Sequence, residues 1–243
     1  MKTIKYETRR NTSAIIVAAG QSSRMSNFSS YSKQFIVIGD KPVLAHVLNS
    51  FYLAKTINEI IVVVRENDIG RTNNLVKEFE MDKITSIVSG GVTRQESVRF
   101  GLEEIKDDVD FVVIHDGARP FITPGEIDEI VSYSFKGVSA TFGIQITDTV
   151  KFVKKGSDGL MASNVPAKKE IWKIQTPQVF PYYLIKLAHE KAKEKKFFAT
   201  DDCTLVENLG EYVHVLKGSK LNIKITYPDD LVQAKLISKI VKL

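Results

Sequence analysis

Short apolar blocks alternate with stretches of helical spacing along the whole chain. Residues 13–19, 59–64, 84–88 and 110–114 are blocks dominated by Ile, Val, Phe and Ala and bounded by polar or glycine-rich turns, the pattern of buried strands. Between them, residues 42–54 carry Val43, Val47, Leu48 and Phe51 on one face of a predicted helix. Residues 68–79 predict a second helix, and 93–105 a third with Val98, Leu102 and Ile105 turned inward. Thr123-Pro124-Gly125-Glu126 is a capping box with proline at the first helical position, so a helix should run from there through residue 135. Further strands are predicted at 138–146, 212–216 and 222–226. Helices are predicted at 181–193, from the Thr200-Asp201-Asp202 cap to residue 209, and from Pro228 onward. Two segments break the rhythm. Residues 20–32, with six serines beside Gly20 and Asn27, predict a long loop. Residues 149–175 mix Lys, Gly and Ser with short apolar pieces and predict a protruding β arm.

Strands alternating with helices imply a Rossmann-like α/β fold: a mainly parallel, mixed sheet with helices on both faces. At 243 residues the chain can hold one large domain or two small ones. No compositional break marks a linker and no repeat is visible. The expectation is therefore a leader at 1–12 and a single domain at 13–243, with the arm embedded in it.

Composition narrows the setting. No apolar run approaches the ~20 residues of a membrane span, and the basic residues 1–12 lack the apolar core of a secretory signal. A single cysteine, Cys203, allows no internal disulfide. Flanked by Asp201 and Asp202, it also reads as structural rather than reactive. A cytoplasmic, reducing compartment fits. The net charge of +5 favours anionic partners. Its densest part, Lys186 to Lys196, lacks interleaved aromatics and reads as a solvated helix face, not a nucleic-acid surface.

In sheets of this type ligands sit beyond the carboxyl ends of the strands, which directs attention to three loops. Ala18-Ala19-Gly20-Gln21-Ser22-Ser23-Arg24-Met25 offers small residues, successive N–H groups and a fixed cation, suited to a bulky anion, and Lys33 can reach back over it. Ser89-Gly90-Gly91-Val92-Thr93-Arg94-Gln95-Glu96-Ser97 leads two glycines into a helix start, with Arg94 and Ser97 on one face. His115-Asp116-Gly117-Ala118-Arg119-Pro120 follows an apolar strand. There Asp116 can hold Mg²⁺ between phosphates, and Arg119 can bind a second anion or pair with Asp116. His115 has no nucleophile nearby to activate. Neither the dinucleotide fingerprint nor the P-loop occurs, nor does a zinc-protease or hydrolase motif.

Taken in order, these pieces resemble one family, the 2-C-methyl-D-erythritol 4-phosphate cytidylyltransferases of the non-mevalonate isoprenoid pathway. The resemblance rests on A-A-G-x-x-x-R-M (18–25), Lys33-Gln34, Gly90-Gly91-x-x-Arg94-x-x-Ser97-Val98 and His115-Asp116-x-Ala118-Arg119-Pro120. Asp148-Thr149, Gln175-Thr176-Pro177-Gln178, Thr200-Asp201-Asp202 and Asn222-Ile223-Lys224-Ile225-Thr226 complete it.

It implies a Rossmann-like nucleotidyltransferase that dimerises through the arm and uses CTP with Mg²⁺. Ala18, Ala19, Gly20, Gln21, Ser22, Ser23, Gly90, Gly91, Arg94, Ser97, Asp116 and Gly117 would contact CTP, and Asp116 the metal. Arg24, Lys33 and Lys224 would surround the reacting phosphates as catalytic cations. Asp116, Arg119, Thr149, Thr176, Thr200, Lys168 and Lys224 would face the polyol phosphate. Lys168 is the best match to the family's arm arginine, which reaches the partner subunit's substrate, and Ser32 and Gly117 replace the family's usual proline and alanine. A ribitol-5-phosphate cytidylyltransferase shares the CTP motifs, and a non-catalytic CTP-binding regulator is a more distant alternative.

Overall fold

A computed structural model of the chain describes residues 10–20, 32–106, 108–156, 159–163 and 168–241. Seven strands form the central sheet, in the order β11-β7-β10-β6-β1-β4-β5. These are β1 (Thr12–Ala18), β4 (Glu59–Val64), β5 (Ile84–Ser89), β6 (Phe111–Asp116), β7 (Ser139–Gln145), β10 (Trp172–Pro181) and β11 (Val213–Lys217). β1 lies between β4 and β6, parallel to both, and β4 is parallel to β5. Only β10 runs antiparallel to its neighbours β6 and β7. After β1 the chain steps outward through β4 to β5, then returns to the other side of β1 as β6. That reversal opens a crevice at the carboxyl ends of β1 and β6.

Side chains alternate across the sheet and build a core on each face. Ala14, Ile16 and Ala18 of β1 meet α1 (Val43–Leu53), α2 (Ile69–Glu78) and α4 (Pro124–Ser134) through Leu48, Phe51, Leu75 and Ile130. Ile15 points the other way, toward α3 (Arg94–Glu103), α5 (Tyr182–Glu194) and α6 (Asp202–Glu207) through Val98, Ile185 and Leu205. A third cluster, with Ile38, Phe121, Ile225 and Leu231, fastens α7 (Pro228–Val241) beside the small hairpin of β2 (Val37–Ile38) and β3 (Lys41–Pro42). No helix among the described residues is long and apolar enough to cross a membrane.

The capping box at Thr123 and Glu126 forms as expected, and Thr93 with Glu96 forms a second one at the start of α3. Three expectations need correction. Residues 10–12, assigned to the leader, are tied down: the Asn11 amide donates to Asp110 Oδ2 at 2.8 Å, and Thr12 already belongs to β1. Residues 222–226 form no strand, because side chains take their carbonyls. Arg119 donates to the Asn222 carbonyl at 2.9 Å, and Lys33 to that of Ile225 at 2.7 Å. Within 149–175, β8 (Phe152–Gly156) and β9 (Gly159–Ser163) pair as a separate hairpin, but Trp172 already belongs to β10 of the central sheet. The pattern hid β10 because Gln175, Thr176, Pro177 and Gln178 interrupt it, and its register shifts between Ile174 and Gln178.

Phe51 is fully buried and packs its ring 5.1 Å from that of His115, linking the core to the last strand turn before the crevice. Phe51→Ala is expected to cost about 3–5 kcal/mol in urea unfolding, and a loss below about 1 kcal/mol would contradict this packing. Cys203 lies buried in α6, and burial, with Asp201 and Asp202 adding to it, pushes its thiol pKa up. Iodoacetamide should therefore leave the folded protein unlabelled at pH 8 and label it once in denaturant. Stoichiometric labelling of the folded protein would refute the assignment.

Candidate active site

The carboxyl ends of β1, β4, β5 and β6 open into one cleft of about 580 Å³. Ala19 and Gly20 enter from β1, the turn from Ser89 to Thr93 from β5, and Asp116 from β6. Lys33 and Lys224 close the opposite side.

Close approach dictates the glycine turn. A Cβ on Gly90 would stand 2.8 Å from Ser97 Oγ and closer still to the Ala19 Cβ. The Ser97 hydroxyl accepts from the Gly91 amide at 3.1 Å and donates to the Thr93 carbonyl at 2.9 Å. It therefore shapes the turn that leads into α3, whose N-terminus faces the cleft with the polarity that favours anions.

Asp116 is the electrostatic centre. Its Oδ1 accepts from Arg94 Nε at 3.0 Å, and its Oδ2 from Lys224 Nζ at 2.8 Å, with Arg119 Nε at 3.5 Å. Burial works against its charge, but Arg94, Lys224 and Arg119 hold its carboxyl well below the usual range. Arg94 is fixed from a second side by Asp202, 2.7 Å from Nη1, while its buried Nη2 has no partner among the described residues. Burial opposes that guanidinium's charge too, yet Asp202 and Asp116 bind its proton more tightly than usual.

His115 is fully buried, and burial pushes its pKa down to about 3. Its Nδ1 lies 3.0 Å from Thr176 Oγ1, which also accepts from the Asp116 amide at 3.1 Å, and its Nε2 faces the Arg119 carbonyl. A neutral ring with its proton on Nε2 satisfies all three contacts. His115 thus supports the Asp116 backbone and offers no proton shuttle at neutral pH.

Among the residues predicted to form the site, Ala19, Gly20, Lys33, Gly90, Gly91, Arg94, Ser97, Asp116 and Lys224 meet in the cleft. Ala18 lies just beneath, its carbonyl accepting from Gln34 Nε2 at 2.7 Å. Gly117 is buried behind it, its amide donating to the Val17 carbonyl. Thr176 and Arg119 are buried below Asp116 and do not line the opening. Thr149, Thr200 and Lys168 are exposed and away from it. Gln21, Ser22, Ser23 and Arg24 lie outside the described residues. Sequence reasoning missed Arg65 and Glu66, which line the cleft after β4. The signal was that β4 is the next strand after β1, and consecutive strands are commonly neighbours. Arg65 is steered by Asp68, 2.8 Å from its Nε.

Comparison with known proteins is consistent along the chain. A family model described as IspD, 2-C-methyl-D-erythritol 4-phosphate cytidylyltransferase, matches residues 12–239. An enzyme of that name from Halalkalibacterium halodurans is 40% identical over 225 residues, covering 93% of this chain and 96% of the relative. Another, from Desulforamulus reducens, is 40% identical over 230 residues, covering 94% and 96%. Among solved structures, the 4-diphosphocytidyl-2C-methyl-D-erythritol synthase of Anaerococcus prevotii superposes with a TM-score of 0.83 at 31% identity, covering 95% of this chain and 97% of that one. The Thermus thermophilus enzyme superposes at 0.74 and 26%, covering 94% and 99%. With its sheet order, its glycine turn and a match over nearly its whole length, the chain belongs to the 2-C-methyl-D-erythritol 4-phosphate cytidylyltransferase family.

Proposed function

We propose that this cytidylyltransferase transfers CMP from CTP to 2-C-methyl-D-erythritol 4-phosphate, releasing pyrophosphate and feeding the non-mevalonate isoprenoid route. The observation that carries the reading is the convergence of Lys33, Arg94 and Lys224 on the glycine-lined cleft at the strand ends. In this reading the backbone of 18–20 and 90–91 cradles the nucleotide, with Ser97 bracing the turn. Arg94, which lines the cleft, faces an anionic or carbonyl oxygen of CTP.

The attacking oxygen belongs to a phosphate monoester that is already anionic at neutral pH, so no general base is required. The difficulty is electrostatic: two anions must meet while charge builds on the α-phosphoryl oxygens. Cations held in place before the reaction meet that need. Lys33 is aimed by the Ile225 carbonyl and Lys224 by Asp116, and Arg24 is assigned to the same group by the family resemblance. Among the described residues no three acidic, His or Cys side chains cluster to hold a metal. A single carboxylate, Asp116, fits the way Mg²⁺ is usually bound through one or two carboxylates and substrate phosphates. Lys224 is the most exposed of the three side chains on Asp116, so that side of the carboxylate would be the one open to an ion. When bound, Mg²⁺ neutralises phosphate charge.

Thr176 and Arg119 act from beneath, by holding Asp116 and the 222–226 segment. Lys168, Thr149 and Thr200 lie outside the cleft of their own chain, which suits a role for Lys168 in a partner's cleft. The β8–β9 hairpin supports that pairing, because Phe152, Val153, Leu160 and Met161 are all exposed in one chain. We infer one domain with an embedded arm, a homodimer joined through it, and a cytoplasmic location consistent with the single buried cysteine.

A coupled pyrophosphate assay tests the reaction. CTP with 2-C-methyl-D-erythritol 4-phosphate should turn over, and UTP or ribitol 5-phosphate should give less than a tenth of that rate. Faster release with ribitol 5-phosphate would overturn the substrate assignment. Lys33→Ala should lower kcat about 10²–10³-fold, the scale for losing one positioned donor, and near-normal turnover would remove Lys33 from the mechanism. Phe152→Asp combined with Leu160→Asp should convert the sedimenting species from dimer to monomer. An unchanged dimer would show that the hairpin is not the interface.

A further inference from the structure

β4 ends between the two turns assigned to the nucleotide. Val64 pairs with Ala18 of β1 on one side and with Ser89 of β5 on the other, and its carbonyl accepts from the Gly90 amide at 2.8 Å. The residues that follow, Ala19, Arg65 and Gly90, therefore leave three adjacent strands at one level, and all three line the cleft. Asp116 leaves from β6, on the far side of β1. Two strand spacings, about 10 Å, separate the ends of β4 and β6. The cleft thus has two chemically different ends. Arg94 and Lys224 stand on Asp116 at one, and Arg65 and Glu66 stand at the other.

Arg65 is prepared for a particular kind of partner. Its Nε donates to Asp68 Oδ2 at 2.8 Å, and Asp68 is buried, with its amide bonded to the Arg65 carbonyl at 2.8 Å. That contact occupies one edge of the guanidinium and leaves Nη1 and Nη2 as paired donors. Neither has a partner among the described residues. Glu66 is exposed and also takes no partner among them. It and Asp116 are the two carboxylates on the described cleft wall, and cations neutralise only Asp116. An unpaired carboxylate repels phosphate. This end of the cleft therefore suits an uncharged group that offers acceptors to a guanidinium and, beside them, a donor to a carboxylate.

The Watson–Crick edge of cytosine is such a group. Its O2 and N3 are adjacent acceptors, and its 4-amino group is a donor. Uracil has an N–H at position 3 and a carbonyl at position 4, which reverses both. We propose that Arg65 and Glu66 select the nucleobase. The Arg65 fork donates to O2 and N3, and the Glu66 carboxylate accepts from the 4-amino group. Uracil would set an N–H against the fork and an oxygen against the carboxylate, so UTP is rejected by unmatched polar groups. The inference rests on the placement of CTP in this cleft with its phosphates toward Lys33 and Lys224, and it adds the side chains that choose the base.

Values of kcat/KM with CTP and with UTP, at saturating 2-C-methyl-D-erythritol 4-phosphate, test this with an internal control, because a general structural defect lowers both alike. Arg65→Met keeps the aliphatic stem and removes the donors. It should cut the preference for CTP over UTP at least tenfold, with the loss for CTP appearing in KM. Arg65→Lys keeps the charge without the fork and should restore less than half of that preference on a logarithmic scale. Glu66→Gln should cut the preference at least threefold, chiefly by raising the efficiency with UTP, since an amide can donate to the uracil 4-carbonyl. An unaltered enzyme with no preference for CTP would remove the nucleotide assignment and this inference with it. A preference that is present in the unaltered enzyme and survives in the variants would overturn base selection alone. Equal losses with both nucleotides in Arg65→Met, recovered by Arg65→Lys, would also overturn it and would put Arg65 against phosphate instead.

Discussion

Everything at the catalytic end of the molecule depends on one buried anion. Asp116 is 6% exposed at the end of a fully buried strand, where an isolated carboxylate would be penalised by several kcal/mol. It is tolerated because Arg94, Lys224 and Arg119 surround it. These partners come from distant parts of the chain: the start of α3, the segment before α7 and the turn after β6. The same requirement that neutralises Asp116 therefore brings Arg94 and Lys224 together at the cleft.

The network also explains why irregular backbone can be placed accurately here. Asn222 donates from Nδ2 to the Thr176 carbonyl at 2.9 Å, while its own carbonyl takes Arg119 at the same distance. Gln175 Nε2 reaches the Ser219 carbonyl at 2.8 Å. The Ile225 side chain is fully buried and its amide bonds to the Ala118 carbonyl. Lys224 is thus delivered by a segment that is not a strand but is held at both ends. The polar interruptions of β10 are part of this arrangement, since Gln175 Nε2 bonds to the 219–222 turn and Thr176 Oγ1 to the Asp116 amide and His115, while Gln178 holds Asp201 and the Asp202 amide. Local sheet regularity has been exchanged for a rigid floor beneath the site.

Much of this was legible in the sequence, and the exceptions have physical reasons. Apolar blocks announced β1, β4, β5 and β6 because parallel strands covered on both faces read as continuous runs, and the Thr123 capping box fixed the start of α4. The glycine turn, Arg94, Asp116 and Lys224 were legible from strand-end position and family resemblance together. β10 was not, since its buried polar residues obey hydrogen-bonding needs set by other elements. Ser97 and Arg119 were given ligand contacts, and in the structure both also bond within the protein, Ser97 to Gly91 and Thr93 and Arg119 to Asp116 and Asn222. Whether a polar side chain faces a ligand or a neighbouring carbonyl is decided by tertiary partners that spacing along the chain does not encode. Arg65 was overlooked for a related reason: the loop after β4 carries no glycine, and only the pairing of β4 with β1 brings it to the cleft.

The central claim is that the charge of Asp116, not merely its shape, holds Arg94 and Lys224 in place for CTP. Asp116→Asn preserves size and removes the charge, leaving Arg119 without its counter-ion and Arg94 with Asp202 alone. Calorimetric titration of CTP into this variant, in magnesium-free buffer so that no metal ligand is at issue, tests the claim most directly. The account predicts affinity weaker by at least tenfold with native far-ultraviolet circular dichroism retained. An unchanged Kd would contradict it and would show that the cations find their positions without the anion.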